Sequence, residues 1–213
     1  MERRSSPPLS GRRAQAARND QRILESARAV FADDPGAPIA AVAEHAGVGI
    51  SALYRRYDSK DHLLQRLAAD GMLRYLERLD EALGSDADPW DAFVHFMRRS
   101  VDEGASSTTS RLAGTFTVTP ELNEQGREIY EGTQRLLDRS KAAGVLRDDI
   151  EVGDLSMLFE QFQAIRMADD QRTGVLRRRY LELVLEALHG DATTPLPGPA
   201  PDWNEISARY EKR

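Results

Sequence analysis

The segment from Ile39 to Leu64, IAAVAEHAGVGISALYRRYDSKDHLL, constrains the fold of this chain more than any other. Val42 and Ala46 lie four residues apart on one helix face, and Ala43 between them is small enough to let a second helix cross closely. Gly47 then supplies the turn, because a tight corner between helices needs a residue at positive φ and glycine takes that conformation without steric cost. Val48 fits the corner as a plug, and Leu53 anchors the second helix from below. With those side chains turned inward, Ile50, Ser51, Ala52, Tyr54 and Arg55 are left on the outer face. The pattern is that of a helix-turn-helix running directly into a third helix, and a second helix with so free a face fits the major groove of double-stranded DNA.

The end of this segment narrows the reading. Leu53 to Leu64, LYRRYDSKDHLL, closely resembles the LYRHF-x-SK-x-x-LL stretch of the TetR family of bacterial transcriptional regulators. The resemblance covers Asp20 to Leu67, and beyond it the chain is similar to the family only in length and helical character. Two positions depart from the pattern: Gly49 stands where many members carry a Ser or Thr helix cap, and Ser51 where many carry Gly. The resemblance implies an all-α protein with an N-terminal three-helix helix-turn-helix DNA-binding domain joined to a larger helical ligand-binding and dimerisation domain. It also implies phosphate contacts from Tyr54 and Lys60, base reading by the outer face of the recognition helix, a small-molecule pocket between the middle helices of the C-terminal domain, and a twofold dimer.

Physical chemistry agrees with the phosphate contacts. Tyr54 holds a donor hydroxyl on a rigid stem, and Lys60 sits beside the amide-rich N-terminus of a helix. Arg55 and Arg56 can reach guanine edges or phosphates, or one of them pairs with Asp58 or Asp61. Ile50 and Ala52 offer only apolar contact, for instance to a thymine methyl, which leaves shape readout or an N-terminal arm to supply further specificity.

The net charge of −6 runs against a nucleic-acid partner until its distribution is considered. Residues 1–67 hold 11 Lys plus Arg against 8 Asp plus Glu, a net +3, so the remaining 146 residues carry −9. A mildly basic head therefore precedes an acidic body. Cysteine is absent, which rules out disulfides, thiolate zinc sites and cysteine nucleophiles and suits a cytoplasmic setting. No apolar run nears the roughly 20 residues that a membrane-spanning helix needs, and the Arg-containing N-terminus lacks the apolar centre of a secretory signal. His45, His62, His95 and His189 are scattered without metal-ligand spacing, and no Gly-rich phosphate loop is present, so neither a cofactor nor an enzymatic activity is expected.

Residues 1–18 combine Ser5, Pro7, Pro8 and Gly11 with five arginines and are expected to form a disordered basic arm, either simply solvated or following the minor groove. The DNA-binding domain is placed at 19–67, with Asn19 or Asp20 capping its first helix and Asp34-Pro35-Gly36 ending it. The C-terminal domain is placed at 68–190. Ser59 caps a fourth helix that carries Leu63, Leu64, Leu67, Leu73, Leu76, Leu79 and Leu83, and Pro89 opens a fifth. Residues 104–119 are left unassigned, and further helices are expected over about 120–143, 152–169 and 173–189. The tail 191–213, with Pro195, Pro197, Pro199 and Pro201, reads as extended or loosely docked.

Aromatic residues and methionines crowd the second half. Trp90, Phe93, Phe96, Met97, Phe116, Tyr130, Phe159 and Phe162 are the candidates to line an effector pocket, although such residues at helical spacing more often build core. His95, Thr117, Asn123 and Gln161 are the polar candidates. The last two helices, with Leu155, Leu158, Phe159 and Phe162 followed by Val175, Leu176, Tyr180, Leu183, Val184 and Leu188, have more apolar surface than one face needs, which points to a second copy of the chain. The expected protein is a homodimeric regulator, a repressor that leaves a near-palindromic operator when a small-molecule effector binds. A ligand-insensitive or architectural DNA binder and an activator of the same fold are the alternatives.

Overall fold

The computed structural model describes residues 11–103, 112, 114–191 and 194–210. Among these the chain forms α1 (Gly11–Asp33), α2 (Ile39–Ala46), α3 (Ile50–Arg56), α4 (Lys60–Leu83), α5 (Pro89–Asp102), α6 (Pro120–Ala142), α7 (Val152–Ala164), α8 (Asp170–Leu188) and α9 (Trp203–Ala208). A single isolated bridge, Leu146 with His189, is the only β pairing among the described residues, so the all-α class is observed. The chain divides into two compact units, one ending at Leu63 and one running from Leu64.

In the first unit α1 begins about two turns before the expected caps at Asn19 and Asp20. From Arg12 to Arg18 the sequence is Arg, Ala and Gln, all strong helix formers, so nothing stops the helix from extending back to Gly11. The expectation of a disordered arm thus fails for residues 11–18, while residues 1–10, with Arg3 and Arg4, lie outside the described residues. Ile23, Leu24, Ala27 and Phe31 of α1, Val42, Ala43 and Ala46 of α2, Leu53 of α3 and Leu63 of α4 are all buried, and α2 packs against both α1 and α3. Gly47 turns the corner at φ 63° and ψ 35°, and its N–H donates to the Glu44 carbonyl at 3.0 Å. Arg22 of α1 closes the same helix end by donating to the Ala46 carbonyl at 2.7 Å.

The second unit is organised around α5, whose Phe93, Phe96, Met97 and Val101 are buried in one cluster with Leu136 and Leu137 of α6, Phe159 of α7, and Leu181 and Leu185 of α8. Thr119 caps α6, its hydroxyl accepting from the Leu122 N–H at 3.3 Å. Two boundaries differ from expectation. α7 stops at Ala164 and α8 already starts at Asp170, because the Asp169 carboxylate accepts from the N–H groups of Gln171 and Arg172 at 3.1 and 3.2 Å and begins a new helix. The proline-rich tail, read as extended, ends in the short helix α9, with Asp202 and Glu205 forming a capping box.

Gly47→Ala is expected to cost about 1–2 kcal/mol, the general penalty for an L-residue in the left-handed region. A Cβ there would meet nothing closer than Arg22 at 3.6 Å, so the backbone conformation alone is at issue. Equilibrium urea denaturation measures the loss, and an unchanged midpoint would contradict the need for glycine at this corner.

Candidate functional site

The site is built on α3, a helix of seven residues with Gly49 at its N-cap and no side-chain cap bond. Leu53 is its one buried residue, which leaves Ile50, Ser51, Tyr54, Arg55 and Arg56 solvent-exposed and Ala52 half-buried. Ile50 is 40% and Tyr54 48% exposed, a large apolar and aromatic surface on a helix otherwise fixed from below. Among the described residues Tyr54 and Arg55 make no side-chain hydrogen bond or ion pair, so both hydroxyl and guanidinium are available to a ligand.

Arg56 is committed elsewhere. Its Nε and Nη2 donate to the two carboxylate oxygens of Asp20 at 2.9 Å each, and the Tyr57 hydroxyl donates to the same carboxylate at 2.5 Å. The hydrogen bonds and charge of Asp20 hold the Arg56 guanidinium well above its ordinary pKa. The expected partner was Asp58 or Asp61; the actual one stands on α1. Asp20 therefore serves as a tie between α1 and the end of α3, not as a helix cap.

Lys60 also departs from expectation. Its Nζ donates to the carbonyls of Pro35, Gly36 and Ala37 at 3.3, 3.1 and 2.7 Å and lies 5.1 Å from the Phe31 ring centroid. The ammonium thus fastens the turn between α1 and α2. Its neighbour Ser59 caps α4 as expected, accepting from the His62 N–H at 3.1 Å.

The second unit holds a partly open cavity of about 160 Å³, walled by α4, the stretch before α6, α6, α7 and the C-terminal segment. Phe116, Tyr130 and Phe159 line it, as does Asn123 among the polar candidates. Trp90, Phe93, Phe96, Met97 and Phe162 do not. Phe93, Phe96, Met97 and Phe162 are core residues, and Trp90 stacks on Phe93 with centroids 5.8 Å apart. His95, Thr117 and Gln161 face solvent. In place of those residues the wall uses Tyr75, Trp203 and Tyr210. Among the described residues no group of His, Cys, Asp and Glu side chains could hold a metal ion, and no helix is long and apolar enough to cross a membrane.

Comparison with known proteins places this geometry. Residues 23–67 match the family of bacterial regulatory proteins of the tetR type, and residues 88–190 match the C-terminal domain of SbtR-like transcriptional regulators. The chain belongs to the TetR family of transcriptional regulators. TetR-family proteins are DNA-binding regulators, not enzymes. Solved structures agree in fold. A TetR transcriptional regulator from Streptomyces coelicolor is 24% identical with a TM-score of 0.58, covering 80% of this chain and 98% of its own. A second, from Mycobacterium vanbaalenii, is 26% identical with a TM-score of 0.56 over 83% and 98%. The TetR-like regulator LfrR from Mycobacterium smegmatis, solved in complex with proflavine, is 21% identical with a TM-score of 0.64 over 84% and 99%. No curated protein matches the sequence.

In this TetR-family chain Asp20, Arg22 and Lys60 tie the elements of the first unit together through contacts that span 23 to 37 residues of sequence. Such long-range ties leave no local signal. They separate two residues that the sequence treats alike: Lys60→Ala is expected to lower the unfolding midpoint of the protein, because the partly buried carbonyls of Pro35 and Ala37 lose their donor, whereas Tyr54→Ala should leave it within about a degree or two. Thermal unfolding by circular dichroism checks both, and equal midpoints would remove Lys60 from its structural role.

Proposed function

We propose that the protein is a homodimeric, ligand-responsive repressor that holds a near-palindromic double-stranded DNA operator and releases it when a small molecule fills the cavity of the second unit. The observation that carries this reading is the free outer face of α3, with the Tyr54 hydroxyl and the Arg55 guanidinium both uncommitted beside Ile50 and Ser51. Arg55 is the residue suited to a guanine edge or a phosphate, and Tyr54 to a phosphate. Arg56 and Ala52 belong to the same surface in a supporting role, Arg56 by fixing the end of α3 against Asp20. Lys60 adds positive potential at the start of α4 while its protons stay with the carbonyls of the α1–α2 turn.

A second copy of the chain is supported by α8. Its Val175, Tyr180 and Leu183 are exposed, Leu183 by 60%, while Leu176 and Leu188 are buried within their own chain. Joining two such faces would give a twofold dimer, and half-sites about 34–36 Å apart, one helical turn, are what paired recognition helices require. The cavity supports the ligand half of the reading, and the proflavine complex of LfrR is a precedent in this fold for a small-molecule partner. Coupling falls to α4, which starts at Lys60 and contributes Gly71, Met72 and Tyr75 to the cavity wall. A coupling of about 1–3 kcal/mol would change operator affinity roughly 5- to 150-fold.

Selection of genomic fragments by the purified protein tests the DNA reading. Wild type should enrich one near-palindromic site, and a Tyr54→Ala, Arg55→Ala double variant with normal folding should lose most of that enrichment. Equal enrichment by both proteins would remove α3 as the reading element. Leu183→Glu tests the dimer: sedimentation should show a monomer, and a dimer that persists would move the interface away from α8.

A further inference from the structure

We propose that the C-terminal segment, residues 194–210, is a strap that completes the effector site of this chain, and that the site accepts an uncharged, largely apolar aromatic compound. The inference rests on reading the cavity as an effector site, and adds to it both the class of ligand and the part of the chain that holds it. The family match of the C-terminal domain ends at residue 190, so the strap lies outside the matched regions. The solved relatives are covered over 98–99% of their length while 80–84% of this chain is used, which leaves part of this chain without a counterpart in them.

The strap is fastened at three places. At its base the Asp149 carboxylate, paired with Arg147, accepts from the Leu196 N–H at 2.8 Å, and Arg147 donates to the Thr194 carbonyl at 2.8 Å. In the middle it sits on two helical glycines. A Cβ on Gly153 would lie 2.0 Å from the Pro201 carbonyl oxygen, and one on Gly126 would lie 3.1 Å from the Trp203 ring. Trp203 also packs edge-on against Tyr130 at 5.6 Å, with the Arg127 guanidinium 5.5 Å from its own centroid. At the tip, Arg209 donates to Glu160 at 2.6 Å. At the tip Arg209 also donates to the Met157 sulfur at 3.2 Å, Ile206 is buried and Tyr210 joins the cavity wall, so packing holds the tip together with a partly exposed ion pair of small intrinsic worth.

The ligand class follows from the wall. Tyr75, Phe116, Tyr130, Phe159, Trp203 and Tyr210 give it an aromatic lining, and Glu160, its one charged residue, is already neutralised by Arg209. Burial pushes the Tyr75 and Tyr210 hydroxyls up to about 12, so both stay neutral at physiological pH. The wall holds no cationic side chain and its one carboxylate is already paired, so a charged ligand would give up hydration without a free opposite charge among the lining residues, which is costly. The Thr133 hydroxyl donates to the Ile129 carbonyl at 2.8 Å and is 3.4 Å from the Tyr75 hydroxyl, so Tyr75 is the donor of that pair and keeps acceptor capacity for one polar hydrogen of a ligand.

A matched pair of dyes tests both parts. N-phenyl-1-naphthylamine is uncharged, and 8-anilinonaphthalene-1-sulfonate is the same ring system with an anion attached. Wild type should bind the neutral dye at least about tenfold more tightly, a difference of about 1.4 kcal/mol. In a Trp90→Phe background the emission of Trp203 should be quenched as the dye enters. Gly153→Val, which fills the seat under Pro201, and Arg209→Ala, which removes the contacts of the tip with Glu160 and Met157, should each speed dye release in stopped-flow displacement several-fold while operator binding stays as in wild type. Equal affinity for the two dyes overturns the ligand class. Release rates in both variants equal to wild type, with Trp203 unquenched, overturn the strap and leave the effector cavity standing. Failure of the folded wild type to bind either dye overturns the effector reading itself, with the DNA-binding reading untouched.

Discussion

A helix of seven residues has no stability of its own, since an isolated helix in water needs about 12–15 residues even with favourable sequence. α3 also lacks a side-chain cap at Gly49. Its position is set entirely by what holds it from below and behind: Leu53, fully buried, and the Asp20 carboxylate, which draws in Tyr57 and both donating nitrogens of Arg56. Charge-assisted, two-pronged bonding of this kind fixes direction as well as distance. The same tie sorts the two adjacent arginines. Arg56 is turned to the protein, so Arg55 is the one turned to whatever the helix meets. A reading helix fixed before contact loses little freedom on binding, which is where much of the cost of association otherwise lies.

The elements legible in the sequence are those whose cause is local. Gly47 at the corner, Leu53 under α3, Ser59 at the start of α4 and Thr119 at the start of α6 each act within a few residues of their own position, and each stands where spacing and capping rules put it. Lys60 and Asp20 were legible as residues but not in role. Lys60 looks from sequence like a charge at a helix start, and only the return of the chain brings the carbonyls of residues 35–37 to its ammonium. Asp20 looks like a cap because Asp caps helices, yet the helix passes through it and hands its carboxylate to a partner 36 residues away.

The cavity was less legible for a different reason. Helical spacing of aromatics reports which face of a helix is buried, and on α5 it does so correctly for Phe93, Phe96 and Met97. It does not report where packing stops short. The void lies where α4, α6 and α7 fail to close on one another, and its remaining wall comes from a tail whose prolines read as extended chain. The signal for that wall was present in two forms. Asp202 and Glu205 have capping-box spacing directly after Pro201, and Gly126 and Gly153, which look like defects in helices, are the places where the tail comes too close for a side chain.

In the proposed ligand response, Tyr75 is the residue through which a filled cavity would act on α4. Its ring stands nearly perpendicular to Phe96 and to Phe159, with centroids 5.4 and 6.2 Å away, and those two rings are in turn edge-on to each other at 6.3 Å. A close-packed trio of this kind has no slack to absorb a displaced side chain, because protein interiors pack like crystals of small molecules. Its neighbour on α4, Arg78, is equally confined, buried against Ser100 and Glu103. Under the proposed reading, a ligand that presses on Tyr75 would act on α4, the helix that begins at Lys60. A ligand changes the regulator only as far as it favours one α4 position over the other. In that proposal the close packing of the aromatic trio is what would turn occupancy of a small void into such a preference.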